Sequence, residues 1–398
     1  MKLAQRVARI QPSATLAINA KARRLKKQGV HIVNFGVGEP DFDTPLHIQE
    51  AAINAIKDGQ TRYTPVSGID ELKDAICYVI RNDYGLSYAR ENVLVSCGGK
   101  HAIYNLLQAL LDPGDEVIIP SPYWVSYPEM VSLIGGKPVT VPCAEEYGFK
   151  LHPDALESAI TPRTRLLIIN SPSNPTGVHY SRSELAGLAE VLLKHEDVAV
   201  ITDDIYYRIL FDGHEWCNLA MVSEALRDRT FIINGVSKTY CMTGWRIGYV
   251  VGNADVIRAA TKIQSQSTSN PTSISQWASV AAMRGDQSVV QEMVKVFEQR
   301  CRYVLECLSK LPGVTCPTPA GAFYVFPNFS HYYEKKVGDR SIKNSLDLAD
   351  YLMEIAHVAV VPGSAFGEDH CLRLSYALSM EDLQEGFARV ARALENLS

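Results

Sequence analysis

The chain lacks the patterns that mark several large protein classes. Its nine cysteines include no CxxC pair, and an odd count cannot close a complete disulfide framework. That excludes a disulfide-stapled scaffold and predicts a reduced, cytoplasmic setting. None of the ten histidines stands in an HExxH run or beside cysteine ligands, so no metal site is expected. No GxGxxG follows a strand-like run and no Walker A motif is present, which argues against dinucleotides and nucleoside triphosphates. Positive charge is not in excess: 39 Lys and Arg face 44 Asp and Glu, for a formal net charge of -5. That balance argues against nucleic acid as a partner. No apolar run approaches the length of a membrane span, and the first residues, Met1-Lys2-Leu3-Ala4-Gln5-Arg6-Val7, lack the apolar stretch of a secretory signal. The basic segment 21–27 reads as the solvated face of a helix that stops at Gly29, because the chain as a whole is acidic. Internal repeats and low-complexity tracts are absent.

What remains is an ordinary globular composition, 46% hydrophobic and 21% charged over 398 residues. That length suits two or three domains, or one large α/β domain with an appendage. From about residue 90, short apolar runs alternate with longer helical stretches. Strands are predicted over 92–96, 116–120, 165–170, 198–202, 231–233 and 248–251, with helices such as 101–111 and 183–194 between them. Alternation of this kind, with Val/Ile/Leu strands, predicts a buried, mostly parallel sheet between helices. Residues 288–310 read as one long amphipathic helix. After it, strands over 322–326, 358–361 and 372–376 and a helix from Met380 predict a smaller α+β unit. The expected division is an N-terminal arm (1–45) packing with the small domain, a large domain (46–287) and a small domain (288–398).

In open α/β sheets a ligand lies beyond the carboxyl ends of the strands. The polar residues there form a set. Strand 92–96 leads into Cys97-Gly98-Gly99-Lys100, a glycine turn that opens a helix and can cup an anion. Strand 165–170 runs into Asn170-Ser171-Pro172-Ser173-Asn174-Pro175-Thr176-Gly177, and strand 198–202 into Asp203-Asp204-Ile205-Tyr206. Strand 231–233 runs on to Ser237-Lys238, with Arg246 eight residues later in Gly244-Trp245-Arg246-Ile247-Gly248-Tyr249. An amine at a strand end with a guanidinium nearby suits a Schiff base with a phosphorylated aldehyde: one forms the covalent bond, the other holds the phosphate. Arg246, set among apolar and small residues, reads as a buried arginine in need of an anion. Taken singly, each residue has a plainer use: a loop lysine, a helix cap at Asp203, a core tyrosine at Tyr206, a turn at Asn174.

Together these motifs resemble the class I aminotransferases of the pyridoxal-phosphate fold type I, and most closely the bacterial aspartate aminotransferase branch. Gly38-Glu39-Pro40-Asp41-Phe42, Ser121-Pro122-Tyr123-Trp124 and Arg373-Leu374-Ser375-Tyr376 belong to the same match, which runs from about residue 10 to the C-terminus. The resemblance implies an α/β fold with a large domain built on a seven-stranded-type sheet, plus a smaller α+β domain. It implies pyridoxal 5'-phosphate as cofactor and a catalytic set of Lys238, Asp203 and Tyr206. Lys238 would form the Schiff base and then move a proton, and Asp203 would pair with the ring nitrogen. Asn174 and Tyr206 would bind the phenolic oxygen, and Trp124 would stack on the ring. Gly98, Gly99, Lys100, Ser237 and Arg246 would hold the phosphate. Tyr63, in Arg62-Tyr63-Thr64-Pro65, would reach the phosphate of a neighbouring subunit, which implies a homodimer with shared sites.

On the substrate side, the resemblance implies Arg373 as the bidentate grip on the α-carboxylate, with Gly38, Trp124 and Asn174 around the substrate. Residues 264–271 contain no arginine for a distal carboxylate. In the branch resembled, Lys100, Ser13 and Thr15 would take that role. L-Aspartate and 2-oxoglutarate are the expected pair. Alternatives are prephenate, aromatic or aliphatic amino acids, a β-eliminating lyase, and a non-enzymatic binding protein, which an intact Lys238 opposes.

Overall fold

The computed structural model describes residues 2–211 and 213–398. Its central sheet has seven strands: Val93–Ser96, Glu116–Ser121, Lys137–Pro142, Thr164–Asn170, Ala199–Asp203, Thr230–Gly235 and Gly248–Val251. In space their order is first, seventh, sixth, fifth, fourth, second, third. Gly248–Val251 runs antiparallel to both neighbours, and every other pair is parallel. Alternate residues of the middle strands enter different cores. Leu166 and Ile168 pack with the helices Gly99–Leu110 and Ala254–Ser265, whereas Leu167 and Ile169 pack with Arg182–Leu192. Both faces are therefore covered, which is why these strands read as unbroken apolar runs.

The apolar runs locate six of the seven strands. Lys137–Pro142 escapes because it lies at the sheet edge, half exposed and bracketed by Pro138 and Pro142. Proline is tolerated there because an edge strand leaves one row of N–H groups unpaired.

The C-terminal part is led by the helix Ser288–Ser309, whose stripe of Val290, Met293, Phe297, Cys301, Val304 and Leu308 is buried. Three short antiparallel strands, Val361–Pro362, Leu372–Ser375 and Tyr324–Val325, and the helix Met380–Glu395 complete it. The N-terminal segment forms the helix Ala14–Lys27, and then Val33–Asn34 pairs in parallel with Val358–Ala359. Further on, Asp41 accepts a bidentate pair of hydrogen bonds from Arg300, at 2.7 and 2.8 Å, and Phe42 meets Phe297 edge to face. These contacts fix the run 36–42 across the carboxyl edge of the large sheet.

Because Val93–Ser96 and Thr230–Gly235 both oppose Gly248–Val251, they point the same way as the parallel strands. Four strands thus deliver Gly98–Gly99, Asn170, Asp203 and Lys238 to one edge.

Candidate active site

A cavity of about 590 Å³ opens at that edge. It is lined by Gly38, Gly99, Lys100, Trp124, Asn174, Asp203, Tyr206, Ser237, Lys238, Arg246, Arg373 and Thr15 among the residues expected from sequence. Gly98 and Ser13 stand just outside it, the Ser13 hydroxyl 2.9 Å from that of Thr15. Tyr63 is 92% exposed and does not line this chain's cavity.

One end is an anion cup. Gly98 has a φ of +95°, which L side chains rarely adopt, and turns the chain into the helix Gly99–Leu110, whose first turn carries no acid. A Cβ on Gly98 would strike the Arg246 guanidinium, and one on Gly248 would strike the backbone of Gly98 and Gly99. Arg246 sits in the left-handed region, φ +58°, after the turn Thr243–Trp245. Its Nη1 donates to Thr243 O at 2.8 Å and its Nη2 to Cys97 O at 3.3 Å. Arg246 is exposed rather than buried, its guanidinium lining the open cavity against Gly98. With Ser237 it still faces the free N–H groups of the helix start.

The middle of the cavity holds an acid and a base, each biased toward its neutral form. Asp203 is buried; Tyr127 Oη donates to its Oδ2 at 2.7 Å and Ile205 N to its Oδ1 at 3.4 Å. Burial outweighs these bonds and pushes its pKa up to about 6. Lys238 Nζ donates to Gly38 O at 2.5 Å. Burial is also the main cause that brings its pKa down to about 8, with Glu39 opposing and Arg373 and Arg246 assisting. An acid and an amine in one cavity with pKa values shifted toward each other are the arrangement expected of a functional centre.

Arg373 closes the far side. It is 2% exposed, and its guanidinium lies 4.7 Å from the ring centre of Tyr324 and 5.3 Å from that of Phe366. Nη1 donates to Asn174 Oδ1 at 3.2 Å and Nη2 to Gly36 O at 2.8 Å, while Nε has no partner among the described residues. No acid among the described residues pairs with this buried cation, and burial pulls its pKa below the usual guanidinium value. A buried, half-satisfied cation is a receptor for an anion.

Lys100 stands on the rim. It is exposed, its Nζ 4.9 Å from the Trp124 ring centre, and burial of the amine together with nearby Arg246 lowers its pKa.

Several lining residues were not singled out from sequence. Asn170 donates to Asp203 O at 2.7 Å and accepts from Asn174 N at 2.8 Å, so it fixes both neighbours. Tyr324 Oη lies 3.0 Å from Tyr206 Oη. Tyr127 follows Trp124 by three residues on the way into the helix Ser126–Leu133, with the two rings edge to face at 5.3 Å; that spacing was the available signal. Arg23, Asn19 and Leu16 also line the cavity, so the basic stretch 21–27 does not wholly face solvent. His31, Asp382 and Glu385 come together elsewhere, where Arg389 donates to both His31 and Glu385 and supplies the cation.

The cavity thus joins an anion cup, an amine of lowered pKa and a buried carboxylate at the sheet edge, and opposite them a guanidinium with no anion among the described residues. The glycine surfaces that a Cβ would fill, and the unpartnered Arg373 Nε, are features an apolar core would not retain; they fit a phosphorylated ring bearing an aldehyde and a carboxylate substrate. The model of the family "Aminotransferase class I and II" matches residues 30–390. The chain is 49% identical over 396 residues to an aspartate/prephenate aminotransferase of Nitrosomonas europaea, covering 99% of this chain and all of that one. It is 46% identical over 398 residues to the aspartate aminotransferase of Bacillus subtilis, with both chains covered completely. Among solved structures, an aspartate aminotransferase of Rhizobium meliloti superposes with a TM-score of 0.97 at 45% identity over the whole of both chains. One of Thermus thermophilus with maleate gives 0.93 at 43% identity, over 99% of this chain and all of that one. Geometry and likeness lead to one conclusion: the chain belongs to the class I and II aminotransferases and is a transaminase.

Proposed function

We propose that the protein exchanges the amino group of L-aspartate with 2-oxoglutarate, in two half-reactions on pyridoxal 5'-phosphate. The observation that carries this reading is the meeting in one cavity of a Lys238 amine with a pKa near 8, the buried Asp203 carboxylate and the unpaired Arg373 guanidinium. When bound, the cofactor supplies an electron sink that acidifies the substrate Cα–H bond. Ser237, Arg246 and the N–H groups just after Gly98, those of Gly99 and Lys100, hold its phosphate. Trp124 stacks on the ring, and Asn174 and Tyr206 bind the phenolic oxygen. Asp203 holds the proton on the ring nitrogen; a cation there returns its carboxyl to the ionised form. Lys238 Nζ, once free, takes the proton from the substrate Cα as general base. Arg373 grips the α-carboxylate with Asn174 as its neighbour, and the Gly38 backbone closes over the substrate. Lys100, with Thr15 and Ser13, draws the distal carboxylate.

The names of the relatives support aspartate, and the Thermus structure with maleate shows a four-carbon diacid in that neighbour. A dual aspartate/prephenate specificity is the second reading. It rests on the printed name of the Nitrosomonas relative and on apolar Leu16, Ala20 and Val37 in the cavity wall.

The proposed division is an arm (1–45), a large cofactor domain (46–287) and a small domain (288–398), in a cytoplasmic homodimer. No helix among the described residues is long and apolar enough to cross a membrane. Support for the dimer comes from Tyr63 and from Leu46, Ile53 and Ile56 of the helix Leu46–Lys57, all exposed.

Borohydride reduction of the holoprotein, followed by peptide mapping, should leave the pyridoxyl group on Lys238; a label on another lysine would sink the mechanism. Cofactor uptake by the stripped protein should quicken as pH rises through about 8 and then level off, since the neutral amine is the nucleophile.

A further inference from the structure

Tyr324 lines the cavity and has no part in the transamination steps. It is fully buried, and it opens the strand Tyr324–Val325, which pairs antiparallel with Leu372–Ser375. Ser375 lies opposite Tyr324, so Arg373, two residues earlier, stands on the same face and diagonal to the tyrosine. That register lays the Tyr324 ring against the Arg373 guanidinium. The Tyr324 hydroxyl meets that of Tyr206, oxygen to oxygen at 3.0 Å.

The backbone fixes this meeting. Ala322 N donates to Ile209 O at 2.8 Å and Phe211 N to Ala320 O at 2.9 Å, so the run 320–324 is tied to the run that follows Tyr206. The two tyrosine rings stand edge to face, 5.8 Å between centres, and Phe323 meets Tyr206 edge to face at 5.6 Å.

Counting protons orients the hydrogen bond. Burial raises the pKa of both phenols, so each keeps its proton. A phenol has one proton to donate and lone pairs with which to accept. Neither hydroxyl has another partner among the described residues. With the cofactor bound, the single proton of Tyr206 goes to the phenolic oxygen. The bond between the two hydroxyls then has one direction left: Tyr324 donates and Tyr206 accepts. A hydroxyl that accepts one hydrogen bond donates the next more strongly.

We propose that Tyr324 is a positioning residue for the cofactor: its hydroxyl donates to Tyr206, and so aims and strengthens the hydrogen bond from Tyr206 to the phenolic oxygen. This assignment rests on the reading that places Tyr206 on that oxygen. Without the Tyr324 hydroxyl, the Tyr206 O–H turns more freely and donates more weakly. The phenolic oxygen is then more basic, and the proton it shares with the nitrogen of Lys238 is held to a higher pH.

The test titrates the absorbance of the bound cofactor against pH in the wild-type holoenzyme, Tyr324→Phe, Tyr206→Phe and the double variant. Phenylalanine at 324 keeps the ring beside Arg373 and removes only the hydroxyl. Tyr206→Phe loses a hydrogen bond to a charged acceptor and should raise the titration midpoint by about one to two units. Tyr324→Phe should raise it by about 0.2–0.6 unit, the cooperative share of that bond. In the Tyr206→Phe background it should add nothing. An unmoved midpoint in Tyr324→Phe would overturn the assignment. So would the same shift with and without the Tyr206 hydroxyl, which would mean that Tyr324 acts on the fold at large. If Tyr206→Phe itself left the midpoint unmoved, Tyr206 would not bind the phenolic oxygen, and the role of Tyr324 would fall with that reading.

Discussion

The two ends of the cavity are made of different material. The sheet end stands on strand ends of a sheet packed on both faces, where burial raises the pKa of Asp203 and lowers that of Lys238. The distal end stands on two helix starts, those of Gly99–Leu110 with Lys100 and of Ala14–Lys27 with Thr15, and Lys100 is exposed. Arg373 lies between them, buried like the first end and aimed at the substrate like the second. A chemical step tolerates little displacement, so its groups sit where the core fixes them. Recognition of two diacids of unequal length gains from long side chains that can adjust. On the proposed roles, the covalent chemistry is fixed by the fold, while the substrate range rests on a few surface residues.

If that contrast is right, the largest effects come from the buried end. Asp203→Asn keeps the shape of the side chain and removes its charge. Breaking a buried ion pair costs about 3–5 kcal/mol, so kcat should fall by two orders of magnitude or more, alike with every amino donor. A loss restricted to aspartate would place Asp203 in substrate recognition instead. Arg373→Lys comes next. It keeps the charge but loses the planar fork, and a charge-assisted hydrogen bond is worth about 1.5–3 kcal/mol. KM should rise about ten- to a hundredfold for every amino-acid substrate. If only dicarboxylates suffered, Arg373 would belong to the distal end, and the boundary between the two ends would move.

The same contrast explains what was legible in the sequence. Residues on strand ends were: the runs before Gly98, Asn170, Asp203 and Lys238 are apolar because the sheet is covered on both faces, and the polar residues just after each run must sit at the carboxyl edge. Residues brought in by tertiary packing were not. Tyr324 comes from a two-residue strand of the C-terminal three-stranded sheet, and nothing in Ala322-Phe323-Tyr324-Val325-Phe326 marks its hydroxyl as a partner of Tyr206. Arg23 reads as one more basic residue in a solvated helix until the helix is seen to form a cavity wall. Arg246 shows the opposite error. Its small and apolar neighbours suggested burial, but its guanidinium lines the open cavity, a placement that local composition does not show. The edge strand Lys137–Pro142 was missed because half of its side chains face water.

Lys100→Ser gives the smallest effect and the finest test of the comparison. Lys100 stands in the first turn of the helix Gly99–Leu110, where the dipole disfavours a cation, beside Arg246 and Trp124 and with no acid partner among the described residues. A position that opposes its own helix gains from an anion. Because the lysine is exposed, its contribution is that of a surface pair, about 0.2–1 kcal/mol. Serine should therefore raise KM for aspartate about two- to fivefold, leave alanine and phenylalanine nearly unchanged, and spare kcat. Equal losses across the three amino acids would mean that Lys100 acts on the cofactor phosphate through the helix start. In that case the distal end would be left with the hydroxyls of Thr15 and Ser13.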